Sequence, residues 1–128
     1  MLVFGIKDTT GLKLLTKLRV EFSDLRSHRF HHSFNCNDPK CRCSLEEETN
    51  SHFLLRCPHF VEIRQILLGN LTTIIGSDIS VLPHDHLADI LLYGSNVYNH
   101  VTNRLILHET ITYILKSQRF DNIEAFSS

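Results

Sequence analysis

Cys41, Cys43, His52 and Cys57 fall within seventeen residues of one another in a C-x-C-x8-H-x4-C spacing. Three thiolates and one imidazole suit tetrahedral Zn²⁺, which closes its shell with four Cys and His ligands in structural sites. All four cysteines, Cys36 included, lie in the 22-residue window 36–57. A free cysteine is often just a small buried hydrophobe, but scattered core cysteines do not cluster so tightly. A disulfide framework is the other reading of the cluster. Nothing in the chain resembles a secretory signal, however, and intracellular cysteine clusters more often bind metal. Cys36 is the spare thiol; His31 or His32 could replace one ligand, although His52 fits the spacing better. Glu46, Glu47 and Glu48 fill the loop between the ligand pairs. Carboxylates there could compete as ligands, but three in a row are expected to face water. No glycine follows the C-x-C pair, where a tight thiolate turn would favour one; Ser44 stands there.

Other constellations are weaker. His84-Asp85-His86 alternates at a helix start, which points its side chains apart, and no third ligand is evident. His59 follows Cys57 closely, but a Cys-His catalytic pair also needs an orienting group. Polymerase chemistry needs paired aspartates for two divalent metals, and the chain has no adjacent Asp-Asp pair. No Gly-rich phosphate loop or Ser-His-Asp set is present either. The chain is expected to have no catalytic residues.

The 128 residues fit one domain, and 42% hydrophobic content is ordinary for a globular chain. No apolar run approaches the roughly 20 residues that span a bilayer. MLVFGI is too short for a signal peptide, so the expected location is intracellular, nucleus or cytoplasm, and the Asn70-Leu71-Thr72 sequon is read as chance. The net charge of −1 hides an asymmetry: residues 1–43 carry eight Lys/Arg against four Asp/Glu, and residues 44–128 five against ten. Such a bias can mark a nucleic-acid face or merely a solvated surface. Arg26, Arg29, Lys40 and Arg42 are the candidate phosphate contacts, with His28, His31 and His32 adding charge below about pH 6.5. Phe30 and Phe34 could stack bases, although aromatics at that spacing more often belong to a core.

The elements that position these residues read as helices. Asp8-Thr9-Thr10 offers N-cap oxygens for a helix from about Gly11, with Leu12, Leu15, Leu18 and Phe22 at helical spacing and Leu14 and Leu25 widening the stripe. Ser23-Asp24 is expected to cap a short helix through Arg26, Arg29 and Phe30, and Asn35 to Pro39 to turn into the metal loop. Thr49 or Asn50 caps a short turn from His52 to Arg56. Pro58 opens a helix that buries Phe60, Ile63 and Leu67 and weakens at Gly69-Asn70. Leu71 to Ile75 is ambiguous between helix and strand. Pro83 opens another helix, with Leu87, Ile90 and Leu91 inward, which Gly94 ends. Asn96 is expected to cap the longest helix, about 97–119, burying Val97, Val101, Leu105, His108, Ile111 and Leu115. The resulting expectation is a mainly α, small helical domain with one zinc-stabilised CCHC loop. It divides into a helical lead-in (11–34), a zinc-binding loop (36–57), a helical C-terminal part (58–120) and a tail (121–128).

The stretch CRCSLEEETNSHFLLRC resembles the C-terminal region of reverse transcriptases from non-LTR (LINE-like) retrotransposons, where a C-x(1–3)-C-x(7–8)-H-x4-C motif follows the polymerase and thumb. GLKLLTKLRVEFSDLRSHRFHHSF (11–34) resembles that family's helical lead-in. EEETNSHFLLRCPHF (46–60) resembles its acidic loop, histidine and last cysteine, and NRLILHETITYILKSQRFD (103–121) its closing helix. The blocks cover nearly the whole chain in matching order. The resemblance implies a zinc-binding module that grips RNA or target DNA beside an upstream reverse transcriptase domain. It also leaves open a relic with no cellular function. The eight residues between Cys43 and His52 distinguish the motif from the retroviral nucleocapsid knuckle, which has four, and the acidic loop would repel phosphate. A structural or protein-interaction module is therefore the competing reading.

Overall fold

The computed structural model describes residues 9–32 and 36–121, and among these no β-strand occurs. The five α-helices are α1 (Thr9–Arg19), α2 (Arg26–His31), α3 (Val61–Ile75), α4 (His84–Tyr93) and α5 (His100–Ser117). The mainly α fold expected from the sequence is therefore the one observed. Asp8, Phe34, Asn35 and residues 122–128 lie outside the described residues.

Helix α5 is the axis of the domain, packing against α1, α3 and α4. Contact on three sides explains the breadth of its buried arc: Asn103, Ile106, Leu107, Thr110, Ile111, Tyr113 and Ile114. The expected stripe is buried only in its second half: Ile111 is in the core and Leu115 packs against it, but Val97, Val101 and Leu105 are exposed by 78%, 61% and 45%, and His108 is exposed. Two apolar stripes compete on this helix, and the one that meets three neighbours is buried. Its start also moves: Asn99, not Asn96, is the N-cap, with Oδ1 accepting from the Thr102 amide at 2.8 Å. The two buried polar side chains are satisfied. Asn103 exchanges hydrogen bonds with Ser95 (2.9 and 2.8 Å), and Thr110 Oγ1 donates within reach of the Leu91 and Ile106 carbonyls.

Helix α1 buries Leu15 and Leu18 but ends at Arg19, so Phe22 is half exposed instead of extending the stripe. Glu21 takes φ 56°, which turns the chain out of the helix. The lead-in is thus two helices with a corner between them. At that corner Ser23 Oγ accepts from the Leu25 amide (3.1 Å). Helix α2 receives no side-chain cap from Ser23 or Asp24. Helix α3 runs unbroken through Gly69-Asn70 to Ile75, because Leu67 and Leu71 are buried on one face and tertiary packing overrides the weak propensity. Leu71–Ile75 is accordingly helix, and Gly76 at φ 82° ends it. Helix α4 buries Leu87, Ile90 and Leu91 and stops at Gly94, as expected.

Candidate metal centre

Cys41 and Cys43 sit on a knuckle pinned at its base by an isolated antiparallel bridge between Lys40 and Glu47. The Cys41 amide donates to the Glu46 carbonyl (2.8 Å) and the Ser44 amide to the Cys41 carbonyl (2.9 Å). Ser44 adopts φ 69°, the left-handed conformation that glycine would occupy more easily. The other two donors bracket a π-type turn, His52–Arg56, in which the Cys57 amide donates to the His52 carbonyl (2.8 Å). The wide turn matters. In a regular α-helix, residues five apart project about 140° apart; the extra residue of a π-turn brings position 57 back over position 52.

The four donor atoms of Cys41, Cys43, His52 and Cys57 all lie within 4.8 Å of one another and can hold a metal ion. The Cys41 and Cys57 sulfurs are 3.8 Å apart, and Cys43 Sγ is 3.3 Å from His52 Nε2. A tetrahedral Zn²⁺ with usual bond lengths would separate two sulfurs by about 3.8 Å and a sulfur and nitrogen by about 3.6 Å. The donors therefore fit zinc in type and in spacing. Burial pushes the Cys41 thiol up to about 12 and raises that of Cys57. A cation is what makes thiolates favourable at such a place. Cys36 stands apart, directing its sulfur to the Asp38 and Arg26 carbonyls (3.1 and 3.6 Å). His31 and His32 are exposed and outside the donor cluster.

The acidic run does not simply face water; only Glu47 is exposed. Glu46 takes a bidentate ion pair from Arg56 (2.8 Å to each oxygen). Its Oε2 also lies 3.0 Å from His52 Nδ1, the ring nitrogen turned away from the thiols. That nitrogen is buried and has no well-aligned hydrogen-bond partner. The Arg56 pair holds the Glu46 carboxyl down at about 2. Glu48 is buried and accepts from Arg119 through both oxygens (2.6 Å each) and from the Arg26 amide (2.7 Å). The run thus supports the imidazole at one end and clamps α2 to the end of α5 at the other.

The turn itself is part of the core. Phe53 and Leu54 are fully buried, and Phe53 meets Phe60, Tyr113 and Phe120 at ring distances of 5.4, 5.4 and 5.7 Å. Tyr113 donates its hydroxyl to the Phe53 carbonyl (2.6 Å), and burial pushes that hydroxyl up to about 12. Arg64 donates to the Leu54 and Cys57 carbonyls (3.0 and 2.7 Å). Sequence reasoning missed Arg64, Tyr113, Glu46 and Glu48. A signal for Arg64 existed: it stands at helical spacing inside the stripe Phe60, Ile63, Leu67, where a solvated cation does not belong.

The four basic residues have different surroundings. Lys40 and Arg42 are exposed on either side of Cys41, and Arg29 and Arg26 are partly buried on α2. Arg26 Nε is buried without a hydrogen-bond partner. His28 is buried, its Nδ1 facing Ser23 Oγ at 2.7 Å and the Ser23 amide at 3.2 Å; burial first of all lowers its pKa. Its protonation is therefore disfavoured relative to a free imidazole, so it is a poorer source of added charge than the sequence suggests. Phe30 is 38% exposed and edge-on to His31. Asp85 accepts from Ser51 (2.7 Å) and His84 lies by Arg56 (3.3 Å), so His84 and Asp85 brace the metal turn, while His86 is exposed. No helix among the described residues is long and apolar enough to cross a membrane. Comparison with protein-family models, with curated proteins and with solved structures finds no match.

Proposed function

We propose that this chain is a zinc-binding, nucleic-acid-binding accessory module that performs no catalysis. It would act like the segment that follows the polymerase in the non-LTR retrotransposon enzymes it resembles, assisting template or target binding. The observation that carries the reading is the convergence of the donor atoms of Cys41, Cys43, His52 and Cys57 within 4.8 Å of one another, a set and a spacing that zinc can use. When bound, zinc ties the knuckle to the π-turn and supplies structural, not Lewis-acid, chemistry, because all four positions are taken by protein donors. Lys40 and Arg42 flank a ligand and are free to meet phosphate. Helix α2 lies against the knuckle through the Ser27 amide to Glu48 carbonyl bond (3.3 Å), which puts Arg29 on a neighbouring surface.

Labelled single-stranded RNA titrated at two salt concentrations tests the nucleic-acid part. Four phosphate contacts give a slope of log affinity against log salt of about −3, reduced by about 0.7 in Arg29→Ala or Arg42→Ala. Binding indifferent to salt and to both substitutions favours a second reading, a structural or protein-interaction module. A specific observation supports that alternative: the cleft of about 450 Å³ beside the metal loop is lined by Glu21, Glu46, Glu47, Asp85 and Asp89, which repel a phosphate backbone.

A further inference from the structure

Among the described residues three guanidiniums hydrogen-bond to the metal loop and its turn, and two have carboxylate partners: Arg56 with Glu46, and Arg119 with Glu48. Arg64 is the most buried of the three, 7% exposed. Its partners are the Leu54 carbonyl, the Cys57 carbonyl and the Tyr113 hydroxyl (3.2 Å), all neutral. Among the described residues it makes no ion pair. Arginine is almost never buried without an opposite charge, because desolvating an unpaired cation is costly.

We propose that Arg64 is the counter-charge of the metal centre, a positioning residue whose guanidinium balances a zinc ion held by three thiolates and one imidazole. This rests on the zinc reading above. Zn²⁺ with three thiolates and a neutral imidazole carries a formal charge of −1, the charge a lone guanidinium requires. Arg64 reaches the centre through the carbonyl of one ligand, Cys57, and through the turn that carries another, His52. The cation stabilises the thiolates, and the anionic centre relieves the buried cation. Each makes the other affordable inside the core.

The test is zinc affinity, measured by competition with a chromophoric chelator, for wild type, Arg64→Gln and Arg64→Lys in the full chain. Arg64→Gln should weaken zinc binding about tenfold or more, in the range found for residues that support metal ligands. Arg64→Lys, which keeps the charge and loses the fork, should stay within about threefold of wild type. A charge-specific control uses Cys43→His, which leaves a neutral zinc centre. In that background Arg64→Gln should cost less than about threefold. Equal losses in Gln and Lys, or equal cost in both backgrounds, would assign Arg64 to packing alone and overturn the proposal. Wild type that takes zinc while Arg64→Gln binds equally well defeats this inference only. Wild type that takes no zinc defeats the metal reading and this inference with it.

Discussion

Glu48 and Arg119 are 71 positions apart in the chain and meet through two 2.6 Å contacts, with Glu48 almost fully buried. The same carboxylate accepts the Arg26 amide at the start of α2, while Arg119 also donates to the Asp24 carbonyl (3.0 Å). Knuckle, α2 and the end of α5 are therefore joined through one carboxylate. Removing one partner of a buried ion pair strands the other charge and costs roughly 3–5 kcal/mol. Glu48→Ala and Arg119→Ala should each destabilise the zinc-loaded protein by about 3 kcal/mol in chemical denaturation, and Glu48→Leu/Arg119→Met by less than the sum. Additive losses would show that the two side chains act separately.

Two helix glycines should respond with opposite signs. A methyl at Gly11 would come within 2.4 Å of Ile111 Cγ2, whereas one at Gly69 meets nothing within 4 Å. Gly69→Ala in α3 should stabilise the fold by about 0.5–1 kcal/mol through helix propensity. Gly11→Ala should destabilise it by about 1–2 kcal/mol, because overpacking at the α1–α5 contact outweighs the same gain. Thermal melts of both variants check the pair; a stabilised Gly11→Ala would mean that α1 sits less tightly on α5.

Ser44 holds a left-handed conformation in the knuckle, and its side chain is exposed. Ser44→Gly relieves roughly 1 kcal/mol of backbone strain and gives part of it back to the unfolded chain. A stabilisation of about 0.5 kcal/mol is expected for the zinc-loaded protein. A destabilised glycine variant would place the favourable contribution in the serine side chain instead.

The four-donor cluster was legible in the sequence because its spacing is so compact. Pro83 and Gly94 mark the ends of α4 by fixed backbone chemistry, whereas Pro58 opens only a short 3-10 turn before α3 starts at Val61. What was hidden depends on partners distant in the chain. Glu48 reads as a solvated acid until Arg119 folds back onto it. Val101 and Leu105 read as a core stripe until three helices cover the opposite arc of α5. Periodicity reports that a helix has an apolar face, but not which of two faces its neighbours cover.

His28 supplies a pH dependence. Its Nδ1 faces the Ser23 amide as an acceptor, and burial lowers its pKa below the ordinary 6.5. The unfolded chain therefore binds this proton more readily than the folded one, so stability falls as pH drops through about 6.5 and below. His28→Gln should flatten the dependence of unfolding free energy on pH between 7.5 and 5.5 relative to wild type. Identical slopes would show that His28 is protonated in the fold at no cost.

The central claim is one zinc ion on Cys41, Cys43, His52 and Cys57, with Cys36 dispensable. Zinc per chain, measured by mass spectrometry after purification without chelator, tests it on wild type, Cys36→Ser and Cys57→Ser. The expected result is about one zinc per chain in wild type and Cys36→Ser, and nearly complete loss in Cys57→Ser. Equal zinc loss in the two variants, or none bound by wild type, would contradict the account.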